Sequence, residues 1–301
     1  MSVADRVTSR LVAKILLLTF LAACGGCESR TDAKISTELA KQPPGGTRIV
    51  TLAPHLAELV FAVGAGEQLV GVTAYTDYPK AAAALPLVGD AFAIDQEQLA
   101  LLKPDLLLAW NSGTAAHVVD ELETRGYRVE PVETRGIGDI STALERIGEL
   151  TGHASEAAVA AEEFRRGMQQ LAERHRESQP ISVFYQVSGR PLYTVNGEHY
   201  VSELIEVCGG RNVFDDLNNL APLVDVEAVL ARNPEVMLAS DDSEAEAFDV
   251  WRRWPELAAN RHANFFFLPA DEIGRATPRL LRAGETLCET LDQARRNRGS
   301  G

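Results

Sequence analysis

Six histidines, four cysteines and a scatter of carboxylates are the groups in this chain that could hold a metal or activate a nucleophile. His55 has the most suggestive setting, at a strand-to-helix junction with Glu58 one turn further on and Asp271 able to join from far along the chain. A transition-metal site needs three or four such ligands converging on one point. His117, His153, His175, His199 and His262 lie mostly in polar helical or loop contexts, where solvated or capping roles account for them. Enzymatic chemistry has less to build on. The sequence holds no Gly-x-Ser-x-Gly, no Gly-x-x-x-x-Gly-Lys, no His-Glu-x-x-His and no dinucleotide fingerprint after its first strand. Asp271 and Arg275 could form a catalytic pair, but without a nucleophile or metal they suit the orientation of a bound molecule better. The reading is therefore a binding protein and not an enzyme, with no resident cofactor.

The N-terminus carries chemistry of another kind. Arg6, Arg10 and Lys14 precede the apolar run from Ile15 to Ala23, and Cys24 follows. This is a secretory signal, too short to span a bilayer stably. Leu21-Ala22-Ala23-Cys24 also resembles a bacterial lipobox, in which cleavage leaves a cysteine that carries acyl groups. Residues 1–23 are thus expected to be a signal peptide and Cys24 the lipidation site. Residues 24–47 lack apolar periodicity and are rich in small, polar and breaker residues, which predicts a flexible tether. Anchor and tether together would hold a folded body near a membrane, through lipid alone.

The formal net charge is −14, and loss of the leader brings the body to about −16. Such acidity disfavours nucleic acid and anionic lipid as partners. Cys27 sits in the tether without an obvious mate, whereas Cys208 and Cys288 lie in the body of an exported protein. In an oxidising compartment that pair is expected to form a disulfide, the alternative being two buried free thiols.

The elements that must position these groups repeat as strand then helix. Arg48 to Ala53 reads as a buried strand, and Pro54 to Val63 as a helix with proline near its start and Gly64 as its stop. Leu69–Thr73, Asp105–Trp110, Tyr127–Val132, Ile181–Val187, Glu235–Ser240 and Asn264–Leu268 are further short β-prone runs separated by helical patterns. That alternation predicts parallel α/β layers. From Ser155 to about Glu177 the chain has high helix propensity with apolar residues three and four apart, long enough to strap two lobes together. The stretch Glu97 to Ala109 aligns without a gap to Glu227 to Ala239, each copy reading acid, short helix, proline turn and buried strand. Two lobes of related design are the implication, each with a glutamate at the opening turn of a corresponding helix.

Several separated segments point one way: Arg48-Ile-Val-Thr-Leu-Ala-Pro with Glu58, Val70-Gly-Val-Thr-Ala-Tyr75-Thr-Asp77-Tyr-Pro79, Leu102-Lys-Pro-Asp through Trp110, Glu206-Val-Cys208-Gly-Gly-Arg-Asn-Val-Phe214, and Arg275-Ala-Thr-Pro-Arg279. Over about residues 48 to 292 they resemble the BtuF-like family of periplasmic cobalamin-binding proteins, in the helical-backbone class of substrate-binding proteins for ABC importers. The resemblance implies an α/β fold of two Rossmann-like lobes joined by a long backbone helix, a class III periplasmic binding protein. Its parts would be an N-terminal lobe over 48–152, a linking helix over 153–179, a C-terminal lobe over 180–293 and a disordered tail over 294–301.

The same resemblance implies a monomer in the periplasm that binds a corrinoid between its lobes, closes only modestly and delivers its cargo to a BtuCD-like permease. Glu97 and Glu227 match the glutamates that dock on permease arginines. Tyr75, Trp110, Asp271 and Arg275 match the ligand pattern, and Tyr185 lies on a further cleft strand. The chain departs from the pattern where the family places tryptophans: it has Ala91 beside Phe92, which can substitute, and Ala221, which nothing obvious replaces. A ferric siderophore, haem or metal-ion receptor of the same fold is the alternative, with His55 and its neighbours as the metal candidates.

Overall fold

The computed structural model describes residues 46–241 and 247–299. The expected signal peptide, the lipidated Cys24 and all but the last two residues of the expected tether lie outside the described residues.

The N-terminal lobe opens on β1 (Ile49–Thr51), fully buried, and α1 (Pro54–Ala62), whose first position holds the proline. Val63 and Gly64 close that helix, the glycine at a φ of +82° where a side chain would be strained. There follow β2 (Leu69–Gly71), α2 (Lys80–Ala83), α3 (Gln96–Leu102), β3 (Leu106–Trp110), α4 (Ala116–Thr124), β4 (Val129–Val132) and α5 (Ile137–Thr151). The four strands form one parallel sheet in the order β2-β1-β3-β4.

The long helix α6 (Ala154–His175) leads into the C-terminal lobe. Here β5 (Ile181–Gln186) is followed by a small antiparallel hairpin, β6 (Ser188–Gly189) and β7 (Leu192–Tyr193), and by α7 (Tyr200–Val207) and β8 (Gly210–Asn212). Next come α8 (Val226–Arg232), β9 (Val236–Ser240), α9 (Asp249–Arg252), α10 (Ala258–Arg261), β10 (Phe265–Leu268), α11 (Ala270–Ile273) and α12 (Leu280–Gly299). The second sheet, also parallel, runs β10-β9-β5-β8. Its order matches the first when β5 is set on β1 and β9 on β3. Strand then helix, with both sheet faces covered, is what buried parallel strands require.

Ala157, Ala161, Phe164, Met168 and Leu171 place an apolar stripe along α6. That stripe belongs to one apolar cluster that also takes in Ile49, Leu56 and Leu144 on the N-terminal side and Val183, Leu204 and Leu287 on the C-terminal side. At 22 residues α6 is about 33 Å long, enough to underlie both lobes. Gly148 lets α5 lie against it, since a Cβ there would stand 2.2 Å from that of Ala157.

Residues 294–301 were expected to be disordered, and the structure corrects this as far as Gly299. Ala294 is fully buried, Arg295 donates to the carbonyls of Gln179 and Cys208, and Arg298 pairs with Glu235 at 3.0 Å. The basic composition that suggested a solvated tail instead supplies donors to the start of β5 and the strand beside it.

The disulfide between Cys208 and Cys288 is formed, with Cα atoms 4.7 Å apart, and ties the end of α7 to α12. It closes a loop with a sequence separation of 80. Replacing both cysteines by serine is expected to lower folding stability by about 2–4 kcal/mol. Denaturant titration of oxidised wild type against the double variant measures this, and equal midpoints would show that the bridge constrains nothing.

Candidate functional site

A cavity of about 500 Å³ opens where the carboxyl ends of both sheets face each other. Open α/β sheets place their ligand sites there, because loops leaving parallel strands converge at that edge. The N-terminal wall comes from the turn after β1 with His55, the loop after β2 with Thr73 and Tyr75, the Asp90–Phe92 segment, and Trp110 at the end of β3. The C-terminal wall comes from Tyr185 on β5, from Val187, from His199 and Tyr200 at the start of α7, and from the Ile273–Ala276 segment.

Trp110 is fixed from three sides. Its backbone N–H donates to the Thr114 hydroxyl at 3.0 Å, and its ring meets His55 edge to face at 5.1 Å. Gly113 lies flat against the ring, where a Cβ would fall 2.0 Å from the indole. The indole N–H has no hydrogen-bond partner among the described residues, nor has the buried hydroxyl of Thr73. Unpaired buried polar atoms cost free energy, so both suit a polar arm of a bound molecule. At the rim Tyr75 and Phe92 are 84% and 81% exposed, two large aromatic faces turned to solvent.

His199 accepts from the Val201 backbone N–H through Nδ1 at 3.1 Å. In the neutral ring the proton then sits on Nε2, which can donate but has no lone pair for a metal. Among the described residues no group of three or more His, Cys, Asp or Glu could hold a metal ion. Tyr200 donates to the Ile273 carbonyl at 3.1 Å, and burial, then the neighbouring Tyr185, pushes its phenol far up.

Arg275 of the cavity wall belongs to an ion cluster centred on the buried Glu58. Glu58, on the inner face of α1, accepts at one oxygen from Arg275 at 2.8 Å and from Arg279 at 3.3 Å. Burial pushes its carboxyl above the usual range against the pull of both guanidiniums. Arg275 also donates to Asp77 and, at 3.0 Å, to the Tyr75 carbonyl. Its hydrogen bond holds the Asp77 carboxyl below the usual range.

The structure brings five of the expected ligand residues to one cavity: Tyr75, Phe92, Trp110, Tyr185 and Arg275. Asp271 is not among them; it is exposed in the first turn of α11. Glu97 and Glu227 are both exposed, in the first turns of α3 and α8. Asp95 caps the first helix through Gln98 at 2.9 Å and Asp225 the second through Ala228 at 2.7 Å, so neither glutamate is spent on capping. Sequence reasoning missed Thr73, Gly113 and the His199–Tyr200 pair as wall residues. Of these only the pair had a signal, an Asn196-Gly197 turn just ahead of a helix that begins with an aromatic.

A mainly apolar groove between twin α/β lobes is the arrangement of a clamshell binding protein. The chain belongs to the periplasmic binding protein family, whose model matches residues 49–272. It is 34% identical over 263 residues to the vitamin B12-binding protein of Vibrio cholerae serotype O1, a match covering 87% of this chain and 95% of that protein. The crystal structure of the periplasmic vitamin B12 binding protein BtuF of Vibrio cholerae superposes with a TM-score of 0.76 at 34% identity, covering 83% of this chain and 98% of that one. The periplasmic heme binding protein HutB of Vibrio cholerae shares the fold, with a TM-score of 0.71 at 19% identity over 81% of this chain and 98% of its own. Proteins of this family are binding proteins, not enzymes.

Burial, with the Arg275 charge second, pulls the His55 ring down to about 3, and burial alone pulls His199 down to about 4. In the unfolded chain both titrate near 6.5. The unfolded state therefore binds more protons in between, and stability rises with pH across that window. Stability should be level in these two groups above pH 6.5 and fall by up to about 1.4 kcal/mol per pH unit per histidine on acidification towards pH ~4. Denaturant titrations over that range measure the slope, which His55→Asn and His199→Asn should each flatten. An unaltered slope in both variants would contradict the assignment.

Proposed function

We propose that this chain is the cargo-binding lipoprotein of an ABC importer, which holds a corrinoid in the periplasm between its lobes and delivers it to a BtuCD-like permease. The observation that carries the reading is the aromatic groove: Tyr75 and Phe92 at the rim, Trp110 and Tyr185 deeper, and few polar groups between them. A flat macrocycle with amide arms wants that mixture, π faces for contact area and sparse hydrogen-bonding groups for orientation. The 34% identity to a vitamin B12-binding protein over most of both chains supports the same cargo.

Ala91 lines the groove and Phe92 stands beside it, so the first missing tryptophan has an aromatic substitute in reach. Ala221 is not among the residues lining the groove; on the C-terminal wall the ring surfaces come from Tyr185 and from His199 and Tyr200, whose rings lie 4.3 Å apart. Calorimetric titration of residues 48–301 with cyanocobalamin, haem and a ferric siderophore tests the cargo. One-to-one binding of cyanocobalamin, weakened about tenfold by Trp110→Ala, is the expected result. No heat with the corrinoid beside clear binding of haem or siderophore would reassign it.

Glu97 and Glu227 supply a matched pair of exposed carboxylates, one on each lobe, for docking on permease arginines. Complementary charge of this kind governs encounter rate and register more than cargo affinity. The double variant Glu97→Lys, Glu227→Lys should lose transport in cells and keep its calorimetric affinity. Transport at the wild-type rate would remove the docking role. Acylation of Cys24 and a monomeric state complete the proposal.

A further inference from the structure

Tyr75 presents the largest exposed aromatic face at the rim, yet its backbone φ is +67°, in the left-handed region that aromatic residues avoid. Such a conformation persists only where the surroundings over-determine it. Packing does not, since the residue is 84% exposed. Hydrogen bonds do: Ala74 donates to the Gly89 carbonyl at 2.8 Å, Thr76 to that of Thr73 at 3.4 Å, and Arg275 donates to the carbonyl of Tyr75 itself at 3.0 Å. The last is the charge-assisted member of the set and comes from the opposite lobe.

A guanidinium has five N–H donors in a fixed fork. In Arg275 both hydrogens of Nη1 are directed at Glu58 and Asp77, and one of Nη2 at Tyr75. Arg279, from the same segment, lies over the Tyr78 ring at 4.3 Å and shares the Glu58 oxygen. Two arginines of the C-terminal lobe thus hold residues 75, 77 and 78 of the N-terminal lobe. Glu58, its side chain 2% exposed, is the buried counter-charge that makes placing both guanidiniums there tolerable.

We propose that Arg275 is a positioning residue and not chiefly a cargo contact: anchored on Glu58, it reaches across the cleft and holds the Tyr75–Asp77 loop so that the Tyr75 ring faces the groove. The cargo that reads out this positioning rests on the corrinoid proposal, whereas the clamp itself does not.

Asp77 is the place to cut the clamp. Its side chain is 55% exposed, and its removal leaves the Glu58 pairs in place, so the fold survives. In cargo-free protein, Asp77→Ala should raise amide hydrogen exchange at Ala74 and Thr76 about tenfold, and Asp77→Glu should recover part of the protection. Cyanocobalamin affinity should fall about fivefold in Asp77→Ala, and that loss should vanish when Tyr75→Ala is already present, because the two residues act through one ring. Unchanged exchange across the loop would overturn the clamp. So would an Asp77→Ala affinity loss of equal size with and without the Tyr75 ring. If wild type shows no affinity for cyanocobalamin, the corrinoid reading falls and the exchange experiment still decides the clamp.

Discussion

The groove is built half from one lobe and half from the other, so its shape is set by whatever fixes the angle between the two sheets. That constraint is an apolar core that does not stop at the lobe boundary. The stripe on α6 from Ala157 to Leu171 packs with both halves, and α5 lies close enough on it to require glycine at 148. Close-packed interiors do not deform continuously. In front of the core, the Glu58–Arg275–Arg279 cluster bridges the lobes at the base of the cleft. Hydrophobic burial thus supplies the stiffness, and the ion cluster supplies local register where an apolar contact could slide.

The lobes are also copies in geometry. Lys103 and Asn233 both take left-handed backbone, at φ of 48° and 45°, and each ends a seven-residue helix capped at its other end by aspartate. The strands that follow are buried alike and occupy the same place in their sheets. A shared pattern of acid, short helix, proline turn and apolar strand has produced matching local structure, which brings Glu97 and Glu227 to equivalent positions. The two strand ends give the groove different things: Trp110 ends the first and lines it, whereas Ser240 ends the second and does not. Shared architecture and separate walls are what a two-lobed carrier needs in order to hold an asymmetric molecule.

Much of this was legible in the sequence because it is local. Apolar residues at three and four spacings marked α6, and proline before a β-prone run marked β3 and β9. Two cysteines in an exported body announced their bridge. What escaped was either weakly patterned or non-local. Strand β8 reads Gly-Arg-Asn, without a β-branched residue to announce it. The end of α12 reads as a basic tail, and the buried Ala294 together with the carbonyls and the Glu235 carboxylate that receive Arg295 and Arg298 explain its order. The sequence puts Asp271 in the ligand set by position, whereas in the structure it is exposed on α11 and outside the groove lining. Arg275 lines the groove as its sequence context suggests, but nothing in sequence pairs it with Glu58, 217 residues away.

The stiffness of the lobe pair is the claim on which the groove, the matched glutamates and the clamp all rest. Spin labels at positions 97 and 227 of the 48–301 body, with the Cys208–Cys288 disulfide intact, would report the lobe separation by pulsed dipolar spectroscopy. The expected result is one narrow distance distribution that moves by less than about 5 Å, one helical turn, on addition of cyanocobalamin. A broad or bimodal distribution without cargo, collapsing to a single shorter distance with it, would contradict a core that runs unbroken through both lobes.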